Sequence, residues 1–274
     1  MMKLFRPAAL LCAVVTLTAG CGTAPNPATT PSSGATALPG ASVTVPTEAP
    51  KGQLTVYTDD ALSGVLGQLA KPFEAAYPGS TVAVKSGAGA AQAQQILGGA
   101  GGDMFVSADA AAMKKLTDAG ATQGQPTNLV RNSLVIVVPL ANSAKVVRLS
   151  DLARSGVRVA LCAQTAPCGA TAHRILDATK TTVKPVSTEP DANAAVAKVR
   201  SGAADAALVY RTDIAKPGAD VQVLDFAEIN AQADVYPIVV LKAARNPTAA
   251  AAFIGFLQSA LARHTFTEAG FGPA

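Results

Sequence analysis

From Gln53 onward the spacing of apolar positions switches repeatedly between two periods. QLTVYT (Gln53 to Thr58) is a short β-rich run. Between Ala61 and Tyr77, Leu62, Val65, Leu66, Leu69 and Phe73 recur at helical spacing, a stripe that predicts a helix with one face in a core. Pro78-Gly79 ends it. TVAVK (Thr81 to Lys85) predicts a strand, Ser86 to Gly89 a small-residue turn, and Ala90 to Leu97 a helix. DMFVSA (Asp103 to Ala108) reads as the next strand, with Asp109 placed to cap a helix through Leu116. SLVIVVP (Ser133 to Pro139) is almost wholly apolar, as a strand covered on both faces should be.

A second series follows. Leu149 to Ala153 reads as a short helix, Val157 to Ala163 as a strand and Gly169 to Thr179 as a helix. Asp191 to Ser201 is helical, Ala206 to Tyr210 extended, and Val221 to Phe226 and Val235 to Lys242 are further strands. Pro247 opens a last helix reaching about Ala262. Alternating strands and helices predict α/β layers with mostly parallel sheets. Two series imply two lobes joined by crossings, with strand carboxyl ends facing one ligand cleft.

The first residues are an address. Lys3 and Arg6 precede an apolar run from Ala8 to Leu17, and Ala19-Gly20 leads to Cys21. The run is too short to span a bilayer as a mature helix and fits a signal peptide over residues 1–20. The small-small-Cys ending resembles the lipobox of bacterial lipoproteins, which makes Cys21 the acylated first residue; Thr18 stands where that box usually carries Leu. Residues 21–52 are dense in Pro, Thr, Ser, Ala and Gly and read as a flexible tether. The folded, two-lobed domain is expected over 53–274. The chain is thus expected outside the cytoplasm, held to the outer face of the cell membrane by its lipid alone.

Composition narrows the function. The chain is 49% hydrophobic and 15% charged, enough for a large core and unlike a disordered tail. Its 22 basic residues less Lys3 and Arg6 leave 20 against 18 acidic, a balance of +2. So small an excess argues against nucleic acid, as does the absence of Trp. Two His leave little for a histidine metal site. In an exported chain Cys162 and Cys168, spaced C-x5-C, are expected to form a disulfide; the rival reading is a redox-active pair. No P-loop, H-E-x-x-H or G-x-S-x-G motif is present, and nothing points to a catalytic residue. Asp59-Asp60, the one tight carboxylate pair, reads as a helix start. What recurs instead is a strand running into a small-residue turn and a helix start, at Thr58–Ala61, Ser86–Ala90, Ala166–Ala170 and Glu189–Asn193. Helix starts present unpaired N–H groups, which together can hold an oxyanion.

At these residues the chain becomes familiar. From Gln53 to its end it resembles the periplasmic molybdate-binding proteins of ABC importers, through LTVYTDDAL, GDMFVSADAAAMKKL, NSLVIVVP, VALCAQTAPCGATAHRIL, AALVYRTD and YPIVVLK with a closing AGF. The lipoprotein leader and the C-x5-C around PCG resemble the actinobacterial branch. The resemblance implies a two-lobed, type II-like periplasmic-binding-protein fold, a monomer that catalyses nothing and needs no cofactor, molybdate or tungstate as ligand, and an ABC permease as partner. It carries the ligand site to Ala61, Gly89, Cys168, Ala192 and Tyr210, with backbone amides at the first four and a phenol hydrogen at Tyr210. The family usually has Ser where Ala61 and Gly89 stand, so both hydroxyl donors are missing. Asp60, Ser63 and Ser86 are the accessory contacts nearby. The alternatives are a different small ligand, for which Asp59 and Asp60 would meet a cation or amine, a surface protein that keeps the fold without transport, and a thiol-disulfide enzyme using Cys162 and Cys168.

Overall fold

The computed structural model describes residues 50–215 and 218–274. The leader, Cys21 and nearly all of the tether lie outside the described residues.

The chain runs β1 (Gly52–Thr58), α1 (Asp60–Ala76), β2 (Ser80–Ser86), α2 (Gly89–Leu97), β3 (Met104–Val106), α3 (Ala110–Asp118) and β4 (Thr122–Asn132). It continues through β5 (Leu134–Pro139), β6 (Val159–Cys162), α4 (Pro167–Ala178), β7 (Ser187–Glu189), α5 (Ala192–Arg200), β8 (Ala206–Tyr210) and β9 (Val221–Leu224). It closes with β10 (Asp234–Leu241), α6 (Pro247–Leu257), α7 (Ala260–Glu268) and β11 (Gly272–Pro273). Short 3-10 turns lie at Leu149–Ala153, Arg211–Ile214 and Ala227–Gln232.

Two sheets organise these elements into two lobes. One has the order β11-β4-β10-β3-β1-β2, the other β7-β6-β8-β5-β9. In the first, the face of α1 carrying Leu62, Leu66, Leu69 and Phe73 packs with Leu54 and Val56 of β1 and with Phe253 of α6. In the second, Leu134 to Val138 of β5 are wholly buried, because β5 lies between β8 and β9. The chain crosses from the first sheet to the second at Asn132–Leu134, between β4 and β5, and returns through 225–233 to β10.

The two-lobed α/β architecture is as expected, but the sheets are mixed rather than mostly parallel. β1 with β2 and β3, and β6 with β7 and β8, are parallel; β10 with β3 and β4, β11 with β4, and β5 with β8 and β9 are antiparallel. Much of the antiparallel pairing involves β4, which the hydrophobic pattern did not mark. Only Val130 and Asn132 of its eleven residues are buried, and its pairing with β10 is interrupted by two register shifts. The long last helix is in fact two, because the Ser259 hydroxyl accepts from Ala262 N at 3.2 Å and caps a new helix, α7.

Candidate functional site

The parallel strands bring their carboxyl ends to one place. Thr58 of β1 leads through Asp59 into α1, and Ser86 of β2 leads through Gly87-Ala88 into α2. From the other lobe, β6 leads to Ala166 and α4, β7 leads through Pro190-Asp191 to α5, and β8 ends at Tyr210. Between them lies a cleft of about 690 Å³ lined from both lobes. A larger depression, about 870 Å³, lies around Arg131, Arg211 and the C-terminal turn, and among the described residues no α-helix start lines it.

Of the residues named from sequence, Asp60, Ala61, Cys168, Ala192 and Tyr210 line this cleft. Gly89 is buried behind the lining formed by Gly87 and Ala88. Ser63 and Ser86 are outside it: the Ser63 hydroxyl donates to the Asp60 carbonyl at 2.8 Å, and Ser86 is exposed at the end of β2. Neither replaces the missing family serines.

Local chemistry decides which helix starts stay open. The caps of α1, α2 and α4 (Asp59, Ala88 and Ala166) give no side-chain hydrogen bond to the first turn. At α1 the Leu62 N–H turns back to the Asp59 carbonyl at 3.1 Å; the foremost amides of the three helices have no acceptor within the helix, and Ala61, Ala88 and Ala166 leave room for a ligand to approach them. At α3 and α5 the caps are filled: Asp109 accepts from Ala112 N at 3.0 Å and Asp191 from Ala194 N at 2.9 Å. Gln92, buried on α2, donates to the carbonyls of Thr58 and Lys85, both at 2.9 Å, and so ties the start of α2 to the ends of β1 and β2.

Asp59 does not cap its own helix with its side chain. Its carboxylate reaches across to the β3–α3 turn, accepting from Ser107 Oγ at 2.8 Å and Ala108 N at 2.7 Å. Burial pushes its pKa up, against the pull of those donors, and the neighbouring Asp109 and Asp60 add to the rise. The same crowding explains Gly89. A Cβ there would meet Ser107 Oγ at 2.5 Å, the Asp109 Cβ at 2.9 Å and Asp59 Oδ1 at 3.2 Å. Asp59 and Ser107 therefore fill the space a second serine would need.

Tyr210 is also engaged. Its hydroxyl donates to Asp234 Oδ2, lies 2.8 Å from Thr171 Oγ1 and is 3.4 Å from the Pro167 carbonyl. Arg174 Nη2 holds the other Asp234 oxygen at 2.5 Å. Burial first, then the Asp234 carboxylate, drive the Tyr210 pKa far above the ordinary phenol value. Because Asp234 opens β10, this cluster joins the return crossing to α4 and β8 of the other lobe.

Six carboxylates line the cleft, from Asp59, Asp60, Asp109, Asp191, Asp213 and Asp234, and among the described residues no lysine or arginine does. Five of them are occupied: Asp213 accepts from Tyr210 N at 3.1 Å, and the others as described. Asp60 is exposed, and among the described residues no hydrogen bond holds its carboxylate. Sequence reading did not assign Asp234, Asn132 or Asp213 to the site: Asn132 and Asp213 stand at the ends of the stretches NSLVIVVP and AALVYRTD without marking themselves as site residues, and Asn132 and Asp234 reach the cleft because they flank the crossings. Asp59 was visible in the sequence, but the long-range partner that turns its side chain was not.

Cys162 and Cys168 form a disulfide joining the end of β6 to the first turn of α4. Both are buried, with 0% and 4% of their surface exposed, so neither sulfur is open to attack by a partner thiol.

Comparison with known proteins agrees with this arrangement. The chain is 34% identical over 233 residues to the molybdate-binding protein ModA of Mycobacterium tuberculosis, covering 85% of this chain and 89% of that protein. It is 29% identical over 238 residues to ModA of Escherichia coli, covering 81% and 90%. A solved substrate-binding domain from Clostridium difficile superposes with a TM-score of 0.71 at 25% identity, covering 81% of this chain and 99% of that one. Residues 54–272 match the family of bacterial extracellular solute-binding proteins. Two lobes around a cleft of helix starts accord with that match: the chain belongs to the bacterial extracellular solute-binding proteins, a non-enzymatic family.

Proposed function

We propose that this protein is the extracytoplasmic receptor of an ABC importer and captures a tetrahedral oxyanion of the molybdate and tungstate type. The observation that carries the reading is the meeting of three uncapped helix starts, α1, α2 and α4, at one cleft. Oriented amides stabilise an anion without a formal countercharge, and each hydrogen bond to a charged acceptor contributes about 1.5–3 kcal/mol. Main-chain donors at Ala61, Cys168 and Ala192 from the two lobes then bind one guest, with the start of α2 supplying a fourth contact; Tyr210, expected from sequence to donate its phenol hydrogen to the ligand, has committed that hydrogen to Asp234. The relatives named above as molybdate-binding support this choice of anion.

Capture works through the hinge formed by the two crossings. Closure brings the α1 and α2 starts against the α4 and α5 starts and excludes water, which strengthens every amide contact. The permease then distinguishes closed from open receptor. Acylated Cys21 anchors the chain, and the tether through residue 52 lets one receptor, acting as a monomer, reach its permease.

The six aspartates favour one second reading, a receptor for a ligand bearing positive charge. A dianion about 6 Å from a single carboxylate is repelled by roughly 5 kcal/mol at an effective dielectric of about 20. Arg174 neutralises Asp234, and the relatives named as molybdate-binding put the oxyanion reading first. Calorimetry with molybdate, tungstate and sulfate decides between them. Submicromolar molybdate with weaker sulfate is the expected result. No heat from any oxyanion, with binding of a small amine, would replace this reading by the second.

A further inference from the structure

The described α-helices divide by how their starts are held. α3, α5, α6 and α7 have side-chain caps: Asp109, Asp191, Asn246 and Ser259 each accept from a first-turn amide within 3.2 Å. Such a cap steadies a helix but uses one of its free N–H groups. α1, α2 and α4, whose starts meet at the cleft, have no such cap. An uncapped start is prone to fray.

Each of the three is held instead by a bond that takes no first-turn amide of its own helix. Asp59 reaches away from α1 to Ser107 and Ala108. Gln92, only 3% exposed, ties α2 to the carbonyls of Thr58 and Lys85 through its Nε2. Its Oε1 has no partner among the described residues, so those two bonds are its polar contribution. Cys168, the second residue of α4, is joined to Cys162, the last residue of β6, with the two Cα atoms 5.8 Å apart. Pro167 before it has no N–H, so Cys168 carries the first donor of α4.

Resting on the oxyanion reading, we infer that Gln92 and the Cys162–Cys168 bond are positioning groups for the ligand: they order the uncapped starts of α2 and α4 on their strands and leave the amides free for the anion. A side-chain cap would order the same turns while occupying the donors. The two groups belong to different sheets, so each can be removed without the other.

Calorimetry with molybdate on the purified protein tests this, at a temperature well below unfolding so that every variant is folded. Cys162→Ala with Cys168→Ala breaks the tie and brings no new hydroxyl to the cleft. Gln92→Met keeps the side chain's length and removes its donor. A first turn ordered about a tenth of the time weakens apparent affinity about tenfold, and each variant should show that loss. Ser259→Ala, which removes the cap of α7 outside the cleft, should lower thermal unfolding by a few degrees and leave affinity unchanged. Adding Ala166→Asn to the cysteine-free variant supplies α4 with a cap. It should recover thermal unfolding but not affinity, because the cap takes an amide the anion needs.

Lowered unfolding with unchanged affinity in either variant would overturn the positioning role of that group, and so would affinity recovered by the added cap; both leave the oxyanion reading intact. If one variant does not fold, the other, in the opposite lobe, decides. Absence of molybdate binding by the wild type would instead remove the oxyanion reading, and the inference with it.

Discussion

Asp59 and Gly89 act as a pair of residues, one filling the space the other vacates. The Asp59 carboxylate lies within 3.2 Å of the position a Gly89 Cβ would take, and it is held there by Ser107 and Ala108. Gly89→Ser is therefore expected to destabilise the protein by about 1–3 kcal/mol through overpacking, measured by denaturant unfolding. Ala61→Ser, at an exposed position on the cleft rim, should be tolerated within about 0.5 kcal/mol. Asp59 adds a pH dependence whose sign is set by its raised pKa. Below the ordinary carboxyl value it is protonated in both folded and unfolded chains. As pH rises through its folded value, the folded chain gives up a proton that the unfolded chain lost earlier, so stability falls. Asp59→Asn should thus match the wild type near pH 4 and unfold a few degrees higher near pH 7. Equal melting profiles across that range would refute this assignment. At this scale the sequence showed which residue types stood where the family has serine. It could not show that Asp59 turns away from its own helix, because Ser107 and Ala108 are nearly fifty positions distant.

Elements were legible where their surroundings repeat a simple pattern. α1 has a continuous buried stripe, and β5 is apolar throughout because it is covered on both faces. β4 was not legible, since nine of its eleven residues keep some exposure and two register shifts break any alternation. β3 is half as long as its sequence run implied, because Asp103 and Ser107 leave the strand to make other bonds. Asp103 accepts from Thr55 N and Asn246 N, both at 2.7 Å, and Ser107 turns to Asp59. The start of α4 is fixed by its disulfide and by Gly169, where an added Cβ would lie 2.0 Å from the Ala163 carbonyl oxygen, so only glycine lets the helix pack this close. Replacing both Cys162 and Cys168 by Ser should cost about 2 kcal/mol, the loop-closure value for so short a ring. Denaturant unfolding of the double variant beside the oxidised wild type reads it out. A midpoint unchanged by the substitutions would show that the bond contributes nothing to the fold.

For the whole molecule, the two-lobe plan followed from the repeated strand-to-helix series, and the cleft followed from where the parallel strands end. The balance of charge in that cleft did not, because Asp213 was read only as the end of a strand-and-turn stretch and Asp234 follows a segment that looks like an ordinary connection. The account rests on main-chain amides from two lobes sharing one anion. Backbone amide resonances read this directly. On titration with molybdate, the amide signals of Ala61, Cys168 and Ala192 should shift together to lower field and saturate at one equivalent. If those three stay in place while other signals move, or if they respond at unrelated concentrations, the anion is not held by the helix starts and the proposed receptor mechanism is wrong.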